Sequence, residues 1–231
     1  MDDFDLLSYE ANARDIKIIM DFVPNHSSNE HDWFLRSERR EDPFTDYYIW
    51  RDRNESNAGG VPNNWLSVFR GSAWEWSEVR QQFYYHAFTL EQPDLNYWNP
   101  AIIQEMKDIL KFWTDKGVAG FRMDAVPFLF EDQEFRDEPE SGKTDDPEDY
   151  NYLRHVFTWN YPEVKEVLAD FTDDVHINTD DEGVVMLEAL SEDLTTEDMM
   201  GFYSCSDFPF NFNLIVNLKS ENFSGKYNLF G

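Results

Sequence analysis

The chain has 231 residues, 41% of them hydrophobic, enough for a packed core, and this excludes a disordered chain. Its 47 acidic residues against 19 basic ones give a formal charge of -28, so nucleic acid and anionic membrane surfaces are repelled and no nucleic-acid partner is expected, whereas neutral substrates remain open. A single cysteine, Cys205, excludes an internal disulfide and a thiolate metal site, and leaves the redox compartment undecided.

No cationic, apolar leader follows Met1, and no apolar run approaches the roughly 18 residues that would span a bilayer. The chain is expected to open on a helix over Asp2 to Arg14, with Phe4, Leu7 and Ala11 on one face, followed by a strand from Ile16 to Val23. From Ser27 to Gln92 the regular alternation disappears. Trp33, Trp50, Trp65, Trp74, Trp76 and Gly59-Gly60 mark an aromatic excursion too long for a plain loop, so a small inserted subdomain is expected, with Phe83 to Phe88 as one of its strands. Asn99-Pro100 is a strong helix start, and Ile102, Ile103, Met106, Ile109, Leu110 and Trp113 follow at helical spacing up to Gly117. A strand over Val118 to Val126 comes next. A polar insertion, a helix from Tyr150 to Phe171, a strand over Val184 to Ala189, a short helix opened by Thr195 and a last strand over Asp207 to Phe212 complete the order. The acidic runs Glu131 to Asp149 and Asp170 to Glu182 read as solvated loops; neither has the spacing of an EF-hand, and calcium there is a minor alternative.

Three of the strands end in chemistry. Ile16-Lys-Ile-Ile-Met-Asp-Phe-Val-Pro-Asn-His26 delivers Asp21, Asn25 and His26; Gly117-Val-Ala-Gly-Phe-Arg-Met-Asp-Ala125 delivers Arg122 and Asp124; Val184-Val-Met-Leu-Glu-Ala189 delivers Glu188. Parallel strands gather such ends on one side of a sheet, where residues distant in sequence converge. Retaining glycoside hydrolysis needs two carboxyl groups about 5 Å apart, one to attack the anomeric carbon and one to protonate the leaving oxygen. Neighbouring strands lie about 4.8 Å apart, so Asp124 and Glu188 meet that demand if their strands are adjacent. Arg122, two residues before Asp124 on the same face, would keep Asp124 ionised, and a less solvated Glu188 would keep its proton. The bland alternative is that an acid closing a strand simply caps the following helix. Asn25-His-Ser27, Asn54-Glu-Ser56 and Asn222-Phe-Ser224 fit the glycosylation sequon, which matters only in a secreted protein, and Asn25 is discounted because it should face the cleft.

These residues closely resemble the α-amylase superfamily of glycoside hydrolases, within it the oligo-1,6-glucosidase and α-glucosidase (maltase) branch, insect maltases especially. Asp21-Phe-Val-Pro-Asn-His26 is similar to the first signature of that family, Gly120-Phe-Arg-Met-Asp-Ala125 to the second, Met-Leu-Glu188-Ala to the third, and Gln92-Pro-Asp-Leu-Asn96 to the fifth. The resemblance implies Asp124 as nucleophile, Glu188 as general acid and base, Arg122 as the partner orienting Asp124, and His26 as a ligand of the sugar in the cleaved subsite. Asp21 and Asn25 would brace the strand end, and Ala125 in place of Val looks like the α-1,4 type. It implies a small oligosaccharide substrate, no organic cofactor, and calcium at most in relatives.

The implied fold is α/β, a (β/α)8 TIM barrel with an inserted domain B, and such a barrel needs about 250 residues before insertions. The chain is therefore expected to carry only strands three to six: a barrel segment over 1–26, domain B over 27–92 and a second barrel segment over 93–231. The fourth signature, a His-Asp pair, has no counterpart before Gly231. A truncated, inactive piece of a secreted or membrane-anchored extracellular parent is the expectation. The rivals are a non-catalytic relative, such as the heavy subunit of heteromeric amino-acid transporters, and a receptor or carbohydrate-binding module.

Overall fold

In the computed structural model, which describes residues 2–189 and 196–210, the elements run in chain order α1 (Asp2–Asn12), β1 (Ile18–Phe22), α2 (Asp32–Glu38), β2 (Trp50–Arg51), β3 (Trp74–Ser77), β4 (Gln82–Tyr85), α3 (Pro100–Asp115), β5 (Val118–Met123), α4 (Glu163–Asn178), β6 (Val184–Leu187), α5 (Thr196–Gly201) and β7 (Phe208–Pro209). Strands β1, β5, β6 and β7 form one parallel sheet in that spatial order, an open segment of a barrel among the described residues. In register, Asp21 lies beside Arg122, and Met123 beside Leu187. Gly120 makes the β5–β6 approach feasible, since a Cβ there would sit 2.3 Å from the Val184 carbonyl oxygen.

The helices cover the sheet by the periodicity their sequences carry. The side chain of Asn99 accepts from the Ala101 amide at 3.0 Å, Pro100 occupies the first turn, and Ile102, Met106 and Leu110 are buried one turn apart along α3. Helix α4 buries Val164, Val167, Leu168, Phe171 and Val175 on one stripe. Both stripes meet Phe22, Phe121, Met123, Val185 and Leu187 of the sheet in one core. Full burial of each such side chain contributes about 1.5–3 kcal/mol.

The expected elements differ from the observed ones at their ends. The first strand is confined to residues whose ladder partners exist, starting at Ile18 opposite Val118. Strand β5 stops at Met123 because Ala125 turns left-handed (φ 53°) and Pro127 follows. The helix expected over Tyr150 to Phe171 is a single 3-10 turn at Tyr150–Tyr152 and then α4, which starts after Pro162 and runs to Asn178, because His155 and Asn160 take left-handed conformations in between. In α1 the covered residues are Phe4, Ser8 and Ala11, while Leu7 is exposed; Phe4 packs edge-on against Trp113 and Ser8 donates to the Lys116 carbonyl. The Asp207 to Phe212 strand is observed as β7, with Asn211 and Phe212 outside the described residues, as are Thr195 and the Asn222 sequon.

The aromatic excursion is a three-stranded antiparallel sheet, β2–β4–β3, with its own core of Trp65, Trp74, Phe83 and Tyr85, in which Trp65 and Trp74 stack at 5.8 Å. Its expected strand is shorter than Phe83 to Phe88 and ends at Tyr85. The acidic runs are only partly solvated loops. Glu131, Asp132 and Glu138 are buried, and Asp170 and Asp174 lie on α4, where both reach Lys107.

Candidate active site

Past their last paired residues the central strands keep their alignment for one more step. The Asp124 amide donates to the Phe22 carbonyl and the Glu188 amide to the Met123 carbonyl, both at 2.9 Å. Asp124 and Glu188 are thereby fixed at equivalent heights on neighbouring strands. Arg122, one pleat below Asp124 on the same face, gathers the acids. Its Nη1 donates to Asp21 at 2.7 Å, and its Nη2 lies 2.8 Å from Asp124 Oδ1 and also bonds Glu188 Oε2. One guanidinium nitrogen thus serves both carboxyls, which makes direct contact between them feasible. Asp124 caps no helix: the 3-10 turn Val126–Phe128 that follows has Ala125 at its cap position and no side-chain cap bond.

The electrostatics separate the two acids. Hydrogen bonding to Asp124, then burial, then the Asp124 charge push Glu188 up to about 7, against the pull of Arg122. A glutamic acid in that range holds a proton at neutral pH and can give it away. The spacing is far short of the 6.5–9.5 Å at which an intervening water would be activated, so the pair has the geometry of a covalent, retaining displacement.

His26 stands at the side of this pair. Burial holds its imidazole below the ordinary histidine value, with the charge of Asp124 opposing. The Gln92 amide oxygen accepts from the Thr89 backbone and hydroxyl, at 3.3 and 3.1 Å, which turns the amide nitrogen to His26 Nε2 at 2.9 Å. His26 Nδ1 faces a second amide nitrogen, Asn25 Nδ2, at 3.3 Å, so each ring nitrogen lies beside an amide that can donate to it. The ring also packs on Phe88, 5.3 Å between centroids.

Behind His26 lies a buried polar cluster. Asn25, 1% exposed, donates from Nδ2 to Asp94 at 2.9 Å, and Asp94 also accepts from the Ala87 amide at 2.8 Å. Glu131 is buried beside Asp94; burial pushes Asp94 up to about 8, and burial followed by the Asp94 charge pushes Glu131 well above the ordinary carboxylate range. Asn25 Oδ1 and both carboxyl oxygens of Glu131 have no hydrogen-bond partner. Orphaned buried oxygens, with no nitrogen or sulfur ligand among them, fit a hard cation such as calcium by donor chemistry. No trio of His, Cys, Asp or Glu positioned for a metal occurs among the described residues, so backbone and water oxygens would have to complete such a shell.

The strand ends open into a cavity of about 970 Å3, within the range of small-ligand sites. Asp124, Ala125 and Glu188 form its floor, Phe69 and Phe128 part of the subdomain side, and Tyr150 and Trp159 the opposite wall. The structure therefore brings Asp21, Arg122, Asp124 and Glu188 together and sets Ala125 beside them in a left-handed conformation. His26 flanks the group, and Asn25 sits one layer behind it. Sequence reasoning had not assigned Gln92, Asp94 or Glu131. The signal for the first two was the Gln92-Pro-Asp-Leu-Asn96 run; Glu131 had only an acidic neighbourhood to mark it.

The catalytic-domain model of the α-amylase family matches residues 1–230. The chain is 45% identical to Maltase 1 of Drosophila virilis over 96% of its own length and 37% of the maltase. It is 43% identical to the salivary alpha-glucosidase of Anopheles gambiae over 98% of its own length and 40% of that enzyme. The amino acid transporter heavy chain SLC3A1 of Homo sapiens is 40% identical, over 91% of this chain and 32% of the heavy chain. Among solved structures, an alpha-glucosyl transfer enzyme superposes with a TM-score of 0.82 at 36% identity, covering 93% of this chain and 41% of that one. The chain thus spans about two fifths of the length of the curated relatives it matches. With Asp124 and Glu188 at the floor of one cavity, held by Arg122, and the family model matched over residues 1–230, this chain belongs to the α-amylase family.

Proposed function

We propose that the protein carrying this chain is a retaining α-glucosidase that removes terminal glucose from maltose and short α-1,4-linked oligosaccharides, and from sucrose. The observation that carries this reading is the shared contact of Arg122 with Asp124 and Glu188 at the floor of the cavity. Asp124 attacks the anomeric carbon, and the bond to the leaving oxygen breaks as Glu188 delivers its proton to that oxygen. Glu188, then ionised, takes a proton from water, whose oxygen attacks the glucosyl carbon and releases Asp124. Neutral His26 hydrogen bonds a sugar hydroxyl, and Ala125, small and held in a tight turn, leaves room beside the nucleophile for an α-1,4-linked ring.

The chemistry needs no organic cofactor. A calcium ion, where present, would be held by Asn25, Asp94 and Glu131 and would brace the strand end that carries His26. The open sheet of four strands leaves the described barrel segment unclosed, and the 231 residues alone are expected not to turn over substrate. Secretion of the parent is in keeping with its salivary relatives.

The test is hydrolysis of maltose and p-nitrophenyl α-glucoside by the full-length protein, with Asp124→Asn as the control. Turnover abolished by that change supports the reading. An intact, folded protein without activity would favour a heavy-chain-like, non-catalytic role, in which Asp124→Asn changes nothing.

A further inference from the structure

The segment between β5 and α4 builds the cavity wall facing the inserted subdomain, and one buried side chain closes it on itself. From Phe135 to Glu138 this segment runs along Asn63–Trp65. Asn63 Nδ2 donates to the Phe135 carbonyl at 3.1 Å, Trp65 Nε1 to the Arg136 carbonyl at 2.9 Å, and Asn64 Nδ2 to the Glu138 carbonyl at 2.8 Å, while the Glu138 amide donates to Asn64 Oδ1 at 2.8 Å. The Glu138 side chain then turns away from the subdomain. Only 3% of it is exposed, and it accepts from the Val156 amide at 2.8 Å, the Phe157 amide at 2.7 Å and the Thr158 hydroxyl at 3.1 Å.

Its partners lie eighteen to twenty residues further on, so the carboxylate ties the start of the excursion to its end. Between the two, Ser141 pairs with Tyr152 and Arg154 with Pro139 through the backbone, and Tyr150, Asn151, Leu153 and His155 are presented to the cavity. The tip is tied to the subdomain a second time, by Arg70 to Asp146 at 2.7 Å and by the Gly71 amide to the Glu148 carbonyl at 2.9 Å. A carboxylate with no cationic partner among the described residues, satisfied by donors from one short stretch, is an arrangement in which removing the acceptor orphans two amides at once.

We propose that Glu138 is a positioning residue of the sugar site: by clasping residues 156–158 from its anchor on Asn64, it holds the 139–155 excursion upright as the cavity wall and so sets how firmly the sugar on the leaving-group side is held. The substrate part rests on the α-glucosidase reading; the clasp itself does not. Glu138 touches no reacting atom, so its removal should appear in KM and in the mobility of the wall, with little effect on kcat.

Two measurements decide it. Trypsin cleavage at the exposed Lys143 and Arg154 should be at least tenfold faster in Glu138→Ala than in the wild type, with Glu138→Gln intermediate because one acceptor oxygen survives. Thr172→Ala, which removes a buried hydrogen bond on α4 remote from the wall, controls for general loosening and should leave these cuts at the wild-type rate. In the full-length protein, Glu138→Ala should raise KM for maltose at least fivefold with kcat within twofold, and Glu138→Gln should recover part of the loss. Cleavage unchanged in both Glu138 variants, or equally raised in Thr172→Ala, overturns the clasp; faster cleavage with unchanged KM overturns the positioning role. Should Glu138→Ala not fold, Glu138→Gln carries both measurements. A full-length protein without α-glucosidase activity would refute the function proposed above, while the trypsin cuts would still decide the clasp.

Discussion

Replacing Asp124 by Asn should change how the chain's stability depends on pH. In the fold Glu188 is raised from 4.5 to about 7, chiefly by its contact with Asp124. Because the folded value lies above the unfolded one, stability from the protonated carboxyl is fully present below about pH 4.5 and is lost as pH rises through about 7. Each pKa unit is worth about 1.4 kcal/mol, which gives an upper bound of about 3 kcal/mol. The Glu188 side chain is 23% exposed and faces Arg122, so solvent screening reduces the expected loss between pH 5 and 8 to about 1–2 kcal/mol. An asparagine at 124 has no charge to repel and can donate its amide to the ionised Glu188, so the variant should lose little over the same window. Urea denaturation at pH 5 and pH 8 measures the effect, and a His26→Gln background in both proteins removes the one neighbouring imidazole that also feels the Asp124 charge. Asp124→Asn should gain about 1–2 kcal/mol on the wild type between the two pH values, or about 3–6 °C in midpoint temperature for a chain of this size. Parallel stability curves would show that the two carboxyls do not share a proton and would remove the basis for Glu188 as acid.

In the full-length protein, Glu188→Gln should lower turnover of maltose by about 100- to 10,000-fold, and of p-nitrophenyl α-glucoside far less, since that leaving group needs no proton; equal losses on both substrates refute the acid role. Gly120→Ala should destabilise the β5–β6 pairing by about 1–3 kcal/mol, because its Cβ would press on the Val184 carbonyl and on Ile19, and thermal unfolding that leaves the midpoint unchanged contradicts that packing. Where calcium occupies the Asn25, Asp94 and Glu131 cluster, a hundredfold excess over Kd should stabilise the fold by about 2.7 kcal/mol, and Glu131→Gln with Asp94→Asn should abolish the response. A response that survives the double substitution places the ion elsewhere.

The strand ends were legible because several independent signals fall on the same few residues. A short β-branched run, an arginine two residues before an acid, and a second acid closing the next such run leave little freedom once parallel pairing aligns them, and Arg122, Asp124 and Glu188 stand where that alignment puts them. Helix α3 was equally plain, since Asn99, Pro100 and the spacing of Ile102, Met106 and Leu110 all specify the same start and face. Helix α4 was misplaced by more than ten residues at its start, because apolar spacing from Tyr150 onward mimics a helix while the left-handed turns at His155 and Asn160 that break it depend on contacts made elsewhere.

The buried acids were illegible for a deeper reason. Composition assigns Glu131 and Glu138 to water, since an acidic run in a polar stretch is ordinarily solvated. What overrides that assignment is tertiary: Glu138 is satisfied by amides eighteen and nineteen residues downstream, and Glu131 is buried beside an aspartate thirty-seven positions upstream. Neither relation has a period or a local spacing. Both lie where the inserted subdomain meets the barrel segment, so the contacts that shape the cavity wall are the ones a linear reading is least able to see. The catalytic floor, by contrast, is set by strand register, which the sequence encodes directly.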